Sequence, residues 1–248
     1  MKPGPMLDNI RIVLVQTFHP GNIGQAARAM KTMGLTQLTL VNPRAFPDDE
    51  ATRLAAGADD VVAAARVVDS LEAAVGDCVQ VIGASARLRS LPLPHYDEPD
   101  AMAGEVIAHA AQGPVALVFG RERFGLTNDE IRHCTHQVSI PANPDYGVLN
   151  LSQAVQVLAY DVYRAWRRQA GRTAPQPGRG PLPDQAQLQH FHAHLERVMS
   201  ASGFLNQPHA RTSEHLHALF ARAQPSRKEL SLLRGLLSAL ESHLPESR

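Results

Sequence analysis

VFGRERFGLTNDEI (residues 118–131) and IPANPDYGVLNLSQAVQVLAYDVY (residues 140–163) are the two segments of this sequence that decide the fold. In each segment, a loop rich in glycine and asparagine follows a strand-like apolar run, and the second loop leads directly into a long apolar helix. Open α/β sheets bind ligands at the carboxyl ends of their strands. We therefore expect the two loops to form a pocket lined by backbone groups.

Short apolar runs rich in β-branched residues recur before and between these segments, at residues 10–17, 37–41, 78–83, 115–120 and 137–140. Uninterrupted apolar strands are typical of a parallel sheet that is covered on both faces. Helical patterns lie between the runs, and this alternation predicts an α/β fold with about five parallel strands.

Helix boundaries are marked by capping residues. Asn22 is a suitable N-cap for a helix that Gly34 ends, and Thr127 with Glu130 forms the pattern of a capping box. Ser226 with Glu229 forms a helix-start signal of the same kind near the end of the chain. The helix expected from Leu151 to about residue 168 is apolar on nearly all sides, so it should be buried on more than one face. We expect its second partner to be another subunit.

The end of the chain has a different character. Residues 171–183, GRTAPQPGRGPLP, have the composition of a linker, and helical patterns follow at 184–200, 212–223 and 226–243. The sequence thus predicts a main domain over residues 1–170, a linker over 171–183, and a small helical extension over 184–248.

The net charge of zero hides an asymmetry between the two parts. Residues 1–163 contain 12 Lys and Arg against 18 Asp and Glu, whereas residues 164–248 contain 12 against 6. A basic tail on an acidic domain suggests contact with a polyanion such as nucleic acid; the alternative is a tail that docks on the acidic part. Two cysteines and the lack of a long apolar run predict a cytoplasmic protein that does not enter a membrane.

Several common sites are absent from the sequence. No G-x-G-x-x-G follows the first strand, there is no P-loop motif, and residues 83–87 lack the second glycine of a hydrolase elbow. His190, His192 and His194 are spaced somewhat like metal ligands, and His190 and His194 lie one helical turn apart, but no third ligand has a recognisable spacing. We therefore expect these three histidines to be solvated or to face RNA, and we expect no metal. Cys134 is expected to be a packing residue.

Arg28 and Gly120 are candidate functional residues. Arg28 lies off the apolar stripe of its helix and shares a face with Gly24, where we expect open space suited to a phosphate or ribose; an ordinary surface ion pair is the alternative. Gly120 ends an apolar strand, where a side chain would intrude on a ligand held by backbone groups.

Taken together, Asn22 to Arg28, Gly120 to Gly125 and Ile140 to Ser152 resemble the three motifs of the SPOUT superfamily of S-adenosylmethionine-dependent RNA methyltransferases. The resemblance covers most of residues 7–168. Within the superfamily, residues 10–35, the spacing at 56–61 and residues 116–131 are similar to the TrmJ-type tRNA ribose 2′-O-methyltransferases. That group modifies nucleotide 32, a cytidine or uridine, in the anticodon loop.

The resemblance implies a deep trefoil knot in the C-terminal part of the sheet domain, which general rules of topology would not predict. It also implies a homodimer with its active sites at the subunit interface, S-adenosyl-L-methionine as cofactor and tRNA as substrate. Matched residue by residue, it places cofactor contacts on Ala84, Ser85, Ala86, Gly120, Ile140, Val148, Leu149 and Asn150. It places substrate contacts on Asn22, Arg28, Arg121, Glu122 and Arg123, and makes Arg28 the catalytic residue.

One departure and three alternatives accompany this interpretation. Gly147 and Val148 stand where relatives often have serine, which leaves a role for a hydroxyl group there in doubt. The same fold could methylate another tRNA or rRNA position, or it could be a catalytically silent RNA-binding module. A nucleotide-binding enzyme with a small-molecule substrate would leave the basic tail unexplained.

Overall fold

The computed structural model describes residues 5–85, 93–169, 180–206 and 211–244. Within these ranges the strands are β1 (Ile10–Val15), β2 (Gln37–Val41), β3 (Arg66–Val68), β4 (Gln80–Ala84), β5 (His95–Tyr96), β6 (Val115–Phe119) and β7 (His136–Val138). They form a seven-stranded sheet in the order β3-β2-β1-β6-β4-β7-β5. Every neighbouring pair in the sheet is parallel.

The five predicted strands are all present, and their ends differ by a few residues from the expected ones. The two strands that the sequence did not predict, β3 and β5, lie at the two edges of the sheet. Both are very short, and β5 consists of a histidine and a tyrosine, so neither produces an apolar run. The α/β class with a parallel sheet is confirmed.

The helices alternate with the strands and then end the chain. They are α1 (Pro5–Asp8), α2 (Pro20–Thr32), α3 (Asp49–Ala55), α4 (Asp59–Ala63), α5 (Leu71–Val75), α6 (Pro99–Ala110), α7 (Asn128–Ile131), α8 (Leu151–Gln169), α9 (Gln185–Ala201), α10 (Thr212–Ala223) and α11 (Arg227–Glu241). A 3-10 turn covers Phe204–Asn206. No helix in these ranges has the length and apolarity that a membrane-spanning segment needs.

The expected start of α2 was wrong. The helix begins at Pro20 with His19 as its N-cap residue, and Asn22 lies inside the first turn. Proline suits the first position of a helix because its φ angle is already helical and its missing N–H group is not needed there. The side chain of Asn22 is thereby free for a contact outside the helix.

The predicted capping boxes are confirmed. Thr127 and Glu130 cap α7 reciprocally, and Ser226 and Glu229 do the same for α11. A third box, formed by Asp184 and Gln187, begins α9. These local side-chain patterns fix the starts of three helices.

The core has two layers because both faces of the sheet are covered. On one face, α2, α6 and α8 pack over buried aliphatic residues such as Ile12, Leu117 and Val155. On the other face, a smaller cluster includes Val13, Val118 and Ile131. Helix α8 packs against both α2 and α6. Its broad apolar surface therefore has partners within the chain and does not by itself require a second subunit.

The helical tail docks on the sheet domain. At the start of α9, the N–H of Gln185 donates to the carbonyl of Cys78 (2.6 Å) and the N–H of Ala186 donates to the carbonyl of Gly76 (2.8 Å). Leu182, just before α9, is buried in the main core cluster. These bonds satisfy backbone groups of both parts, so the tail and the domain share a fixed boundary.

The tail also has a small core of its own. Phe191 and Val198 on α9 pack against Leu230 and Leu237 on α11. Four buried apolar residues make a limited core, which agrees with the tail's dependence on the sheet domain for further burial.

Close packing of α2 on α3 should make Gly24 sensitive to substitution. A Cβ atom at Gly24 would lie 2.0 Å from the carbonyl oxygen of Ala51, so Gly24→Ala must separate the two helices. We expect a loss of about 1–3 kcal/mol in the free energy of unfolding, measured by chemical denaturation. Gly104 on α6 is the matched control, because a Cβ there meets nothing within 4 Å. Gly104→Ala should be neutral or stabilise by about 0.5–1 kcal/mol, and equal effects of the two changes would contradict the packing argument.

Candidate active site

A cleft of about 560 Å³ lies at the carboxyl ends of β4, β6 and β7. Predicted cofactor-binding residues from three separate segments line it, namely Ala84, Ser85, Gly120, Ile140, Val148 and Leu149. Asn150 lies next to the cleft, immediately before α8. Ala86 lies outside the described residues. The fold thus brings together in one place the segments that the sequence indicated.

The cleft is lined by both apolar and polar side chains. Val138, Ile140 and Leu149 contribute aliphatic walls, while Glu122 and Arg123 stand among the lining residues of the loop after β6. Apolar walls with a few polar groups are typical of a site for a small organic ligand.

The loop after β6 folds back tightly on Gly120. The N–H of Gly125 donates to the carbonyl of Arg121 (2.9 Å), and Gly125 has a left-handed φ angle of 63°. A Cβ atom at Gly120 would lie 2.0 Å from the carbonyl carbon of Gly125. The need for glycine at position 120 therefore comes from the loop's own backbone. That a side chain there would also meet the ligand stays a prediction.

Arg121 holds this loop in place. Its guanidinium forms an ion pair with Glu130 at 2.6 Å, in which the two side chains are 12% and 15% exposed, and it also donates to the Gln16 side chain (2.9 Å). Burial opposes ionisation of Glu130, but the hydrogen bond from Arg121 and those from Thr127 outweigh it, and the pKa of the carboxyl lies below its ordinary value. The guanidinium is engaged within the loop, so substrate contact by Arg121 stays a prediction.

Glu122 connects the loop to the start of α2. Its carboxylate accepts hydrogen bonds from the N–H groups of Phe18 (3.0 Å) and His19 (3.1 Å) and from Nδ2 of Asn22 (2.9 Å). Burial alone would raise the pKa of Glu122, but these donors stabilise the charged form and the pKa is lowered. A negative charge at the amino-terminal end of a helix is also favoured by the helix dipole.

A chain of side chains continues from Asn22 to the third segment. Nδ2 of Asn150 donates to Oδ1 of Asn22 (3.1 Å), and Oδ1 of Asn150 accepts from the N–H of Ser152 (2.9 Å). Glu122, Asn22 and Asn150, one from each predicted motif, are therefore connected directly. We call these three residues the motif bridge.

Ser152 and Gln25 extend the motif bridge, and the sequence did not single them out. Oγ of Ser152 lies 2.7 Å from Oδ1 of Asn150 and 2.9 Å from Oε1 of Gln25. A hydroxyl donates one proton, so both contacts are bonds only if the Gln25 amide is turned to donate. In the sequence, only their spacing could have indicated this role. Gln25 is one helical turn after Asn22, and Ser152 is two residues after Asn150.

Arg28 continues the row that Asn22 and Gln25 begin on α2, since each is three residues after the last. It is exposed, and none of the residues that the structure describes forms a hydrogen bond or an ion pair with it. The space beside Gly24 is not open as expected, because α3 fills it. What distinguishes Arg28 is a guanidinium without a partner among the described residues, on the helix face of Asn22 and almost two turns after it.

Exposed side chains surround the cleft. Arg123 is exposed, and Phe124 beside it is 69% exposed. Across the cleft, Tyr146 is 85% and Val148 is 72% exposed. Apolar side chains this exposed in one region mark a surface that is suited to binding another molecule.

Two of the histidines considered as metal ligands, and Cys134, have structural roles in the tail and core. The ring of His192 packs edge-on against that of His217, with centroids 4.6 Å apart, so it is not a solvated side chain. His194 is buried and bonded to Glu241 (3.1 Å), which corrects the expectation of a solvated side chain there, whereas His190 is exposed. Burial raises the pKa of the Cys134 thiol to about 12, as expected for a packing residue. No group of three potential metal ligands occurs among the described residues.

The role of Glu122 can be tested through the pH dependence of stability. Its lowered pKa means that its stabilisation is complete above its ordinary value of 4.5 and is lost as the pH falls through the lower folded value. Glu122→Gln should reduce the free energy of unfolding at pH 7 by about 1–3 kcal/mol, since a carboxylate accepts stronger bonds than an amide does. Denaturation curves should show this difference narrowing below pH 4.5. A difference that stays constant down to acid pH would exclude the carboxylate charge as its cause.

Comparison with known proteins identifies the two parts of the chain. The model of the SpoU rRNA Methylase family matches residues 9–160, and the model of the tRNA methyltransferase TrmJ C-terminal domain matches residues 186–248. The chain is 50% identical over 240 residues to the tRNA (cytidine/uridine-2'-O-)-methyltransferase TrmJ of Cronobacter sakazakii, which covers 96% of this chain and 98% of that protein. Identity to TrmJ of Salmonella typhimurium is 50% over 238 residues, or 95% of this chain and 98% of that one.

Solved structures agree with these matches. TrmJ from Z. mobilis ZM4 superposes with a TM-score of 0.78 at 33% identity and covers 93% of this chain and 98% of that one. The fold alone is shared with the SpoU methyltransferase AviRb from Streptomyces viridochromogenes in complex with the cofactor AdoMet, at a TM-score of 0.50 and 21% identity over 64% of this chain and 60% of that one. The family model matches most of the sheet domain, and the relatives are half identical over nearly the whole chain. This protein therefore belongs to the SpoU methylase family, as a methyltransferase of the TrmJ type.

Proposed function

We propose that this enzyme transfers a methyl group from S-adenosyl-L-methionine to the ribose 2′-oxygen of nucleotide 32, a cytidine or uridine, in the tRNA anticodon loop. The motif bridge supports this proposal, because it joins the cofactor-cleft loops to the helix that carries the unpaired Arg28. The names of the half-identical relatives supply the substrate class, which is tRNA with cytidine or uridine as target.

The cleft fits the proposed cofactor in size and chemistry. Its volume of about 560 Å³ lies within the usual range for small-molecule sites. The aliphatic walls from Val138, Ile140 and Leu149 suit a flat heterocycle, and the loop after β6 offers backbone groups to its polar parts. The cofactor supplies a methyl group that is already activated on a sulfonium centre, so the protein has mainly to align the reacting groups and exclude water.

Arg28 would act on the target nucleotide. A guanidinium stays protonated in proteins, so Arg28 is unsuited to removing the proton of the ribose hydroxyl. It is suited to holding a phosphate and to stabilising the negative charge that develops on the 2′-oxygen. A phosphate oxygen or a water molecule would then accept the proton.

The basic tail would hold the tRNA outside the cleft. Arg222 on α10 and Lys228 and Arg234 on α11 are exposed and have no acidic partner among the described residues. Exposed cations without an acidic partner attract a polyanion such as tRNA. A tRNA substrate also agrees with the cytoplasmic location that the cysteine content predicts.

We further propose that the enzyme works as a homodimer with the cleft near the subunit interface. Tyr146 and Val148 beside the cleft and Tyr160 on α8, which is 50% exposed, are apolar side chains without cover in the single chain. A second subunit would remove this surface from water.

A trefoil knot around the cleft is a further part of the proposal. The later strand β6 lies between β1 and β4, and β7 lies between β4 and β5. This strand order agrees with the knotted topology that the resemblance to the SPOUT superfamily implies. Tracing the backbone in an experimental density map from residue 80 to residue 169 would decide this.

The domain boundaries remain part of the same proposal. We assign residues 1–170 to the methyltransferase domain, 171–183 to the linker and 184–248 to the tail. The burial of Leu182 in the main core indicates that the last residues of the linker belong physically to the docked boundary.

The proposed activity is tested with labelled S-adenosylmethionine and unmodified bulk tRNA, followed by mapping of the methylated nucleotide. Label on the ribose of nucleotide 32 is the expected result. Label at another tRNA position, or label on rRNA in a parallel reaction and none on tRNA, would keep the proposed reaction and change its substrate. Cofactor binding without any transfer would indicate a silent RNA-binding module, and transfer to a free nucleoside would indicate a small-molecule enzyme.

Arg28→Ala should lower the rate of methyl transfer by at least about tenfold, which corresponds to about 1.4 kcal/mol of transition-state stabilisation. Cofactor affinity, measured by calorimetry, should be unchanged because Arg28 does not line the cleft. Arg53 on α3 is a suitable control, since it is also exposed and its only ion pair is a long one with Glu50 (3.7 Å) among the described residues. Near-normal turnover in Arg28→Ala would remove this residue from the reaction.

Gly120→Ala should abolish measurable binding of S-adenosylmethionine, because a Cβ there displaces the backbone at Gly125 and Leu126. Circular dichroism should show a folded protein, since the collision is confined to the loop. Gly104→Ala on the exposed face of α6 should bind the cofactor normally. If Gly120→Ala bound it equally well, the cofactor would lie elsewhere.

A further inference from the structure

Phe18 and Arg44 form an exposed pair at the carboxyl edge of the sheet. The guanidinium carbon of Arg44 lies 5.3 Å from the centroid of the Phe18 ring, in a cation–π arrangement. Phe18 is 36% exposed, and Arg44 is exposed. We call these two residues the Phe18–Arg44 platform.

The platform is fixed by the backbone of two loops. The N–H of Phe18 donates to the carboxylate of Glu122, and the N–H of Arg44 donates to the carbonyl of Thr17 (3.1 Å). The same two loops contain Gln16 and Asn42, whose φ angles of 48° and 44° are left-handed. Such conformations are costly for residues other than glycine, and they occur where a loop must hold a particular shape. The pair is therefore preorganised in the absence of any ligand.

The platform adjoins the active site. Glu122, which holds the backbone of Phe18, also lines the cleft and binds Asn22 in the motif bridge. An RNA strand with its target ribose at the cleft would pass close to the ring of Phe18 within one or two nucleotides. The backbone of Phe18 lies 3.0 Å from a side chain that lines the cleft, so the platform is within reach of a nucleotide next to one whose ribose is at the cleft.

The charge of Arg44 points to an anionic ligand. No carboxylate in the described part of the chain pairs with it, although residues 1–163 contain 18 acidic against 12 basic residues. Most of the arginines that the structure describes in this domain are used internally, as Arg11 is with Asp77 and Arg121 is with Glu130. An unpaired arginine that is stacked on an aromatic ring in an acidic domain is poorly explained by stability alone.

We propose that the Phe18–Arg44 platform binds a nucleotide that flanks the methylated one, with the base stacked on the exposed part of the pair and the phosphate bound by the guanidinium. Aromatic rings and guanidinium planes are the surfaces on which unstacked RNA bases bind, and stacking tolerates different bases. This inference rests on the proposed tRNA substrate. It adds a contact that acts on RNA binding and leaves the cofactor untouched.

Three variants separate charge from stacking. Arg44→Ala should raise the KM for tRNA about tenfold, with kcat and cofactor affinity nearly unchanged, because stacking and one phosphate contact are lost together. Arg44→Lys keeps the charge without the planar surface, so it should retain the salt dependence of tRNA binding but recover little affinity. Arg53→Ala, the matched exposed arginine on α3, should behave as wild type.

Phe18→Trp provides a direct signal of stacking. The chain has a single tryptophan, Trp166, which is only 5% exposed. A tryptophan at position 18 should therefore contribute a new fluorescence signal that tRNA quenches when a base stacks on it. In Phe18→Trp combined with Arg44→Ala, this quenching should weaken, because the platform has lost one of its two components.

The outcomes distinguish this inference from the proposed function. Absence of tRNA methylation by the wild type would contradict the proposed function and, with it, the platform. Normal methylation by the wild type with Arg44→Ala indistinguishable from Arg53→Ala, and no quenching in Phe18→Trp, would overturn the platform alone. A change in sedimentation of Arg44→Ala would also overturn it, because the pair would then belong to a subunit contact.

Discussion

The rest of the site depends on the hydrogen bonds that the carboxylate of Glu122 accepts. A negative charge that is partly withdrawn from water is stable only if donors replace the lost solvent, and here the start of α2 supplies three of them. Because two of those donors, the N–H groups of Phe18 and His19, belong to the loop after β1, and the third belongs to Asn22 in the first turn of α2, the charge fixes the distance between the ends of the neighbouring strands β1 and β6. The hydrogen bond to the Glu122 carboxylate orients the side chain of Asn22. The amide oxygen of Asn22 then accepts a hydrogen bond from Asn150 and so orients that residue as well.

The need of partly buried charges for hydrogen-bonding partners also explains why some charged side chains near the cleft are available to a ligand and others are not. Residues that satisfy one another, such as Arg121 with Glu130, have little capacity left for a ligand. Arg28, Arg44 and Arg123 are exposed and have no acidic partner among the residues described, so they remain available for an anion. In an acidic domain, the arginines left unpaired indicate the ligand-binding surface better than the total charge does.

Much of this architecture could be predicted from the sequence, for identifiable physical reasons. Apolar β-branched runs located the long strands, and reciprocal capping located the starts of α7 and α11. Strands β3 and β5 could not be predicted, because strands of two or three residues at a sheet edge are defined by a neighbour and not by their own composition. The start of α2 was misplaced because Asn22 has a strong capping preference, while its tertiary contact with Glu122 is invisible in the sequence. The roles of Gln25 and Ser152 likewise depend on contacts across more than a hundred residues.

The docking of α9 on the sheet domain has a geometric consequence for substrate choice. Two backbone hydrogen bonds and the buried Leu182 hold the tail against the strand that begins at Gln80, so the chain joining the two parts does not set their separation. A polyanion held by cations on such a tail meets the cleft at a fixed span. The enzyme would then select its target nucleotide by distance, namely the distance on the folded RNA between the part held by the tail and the ribose at the cleft.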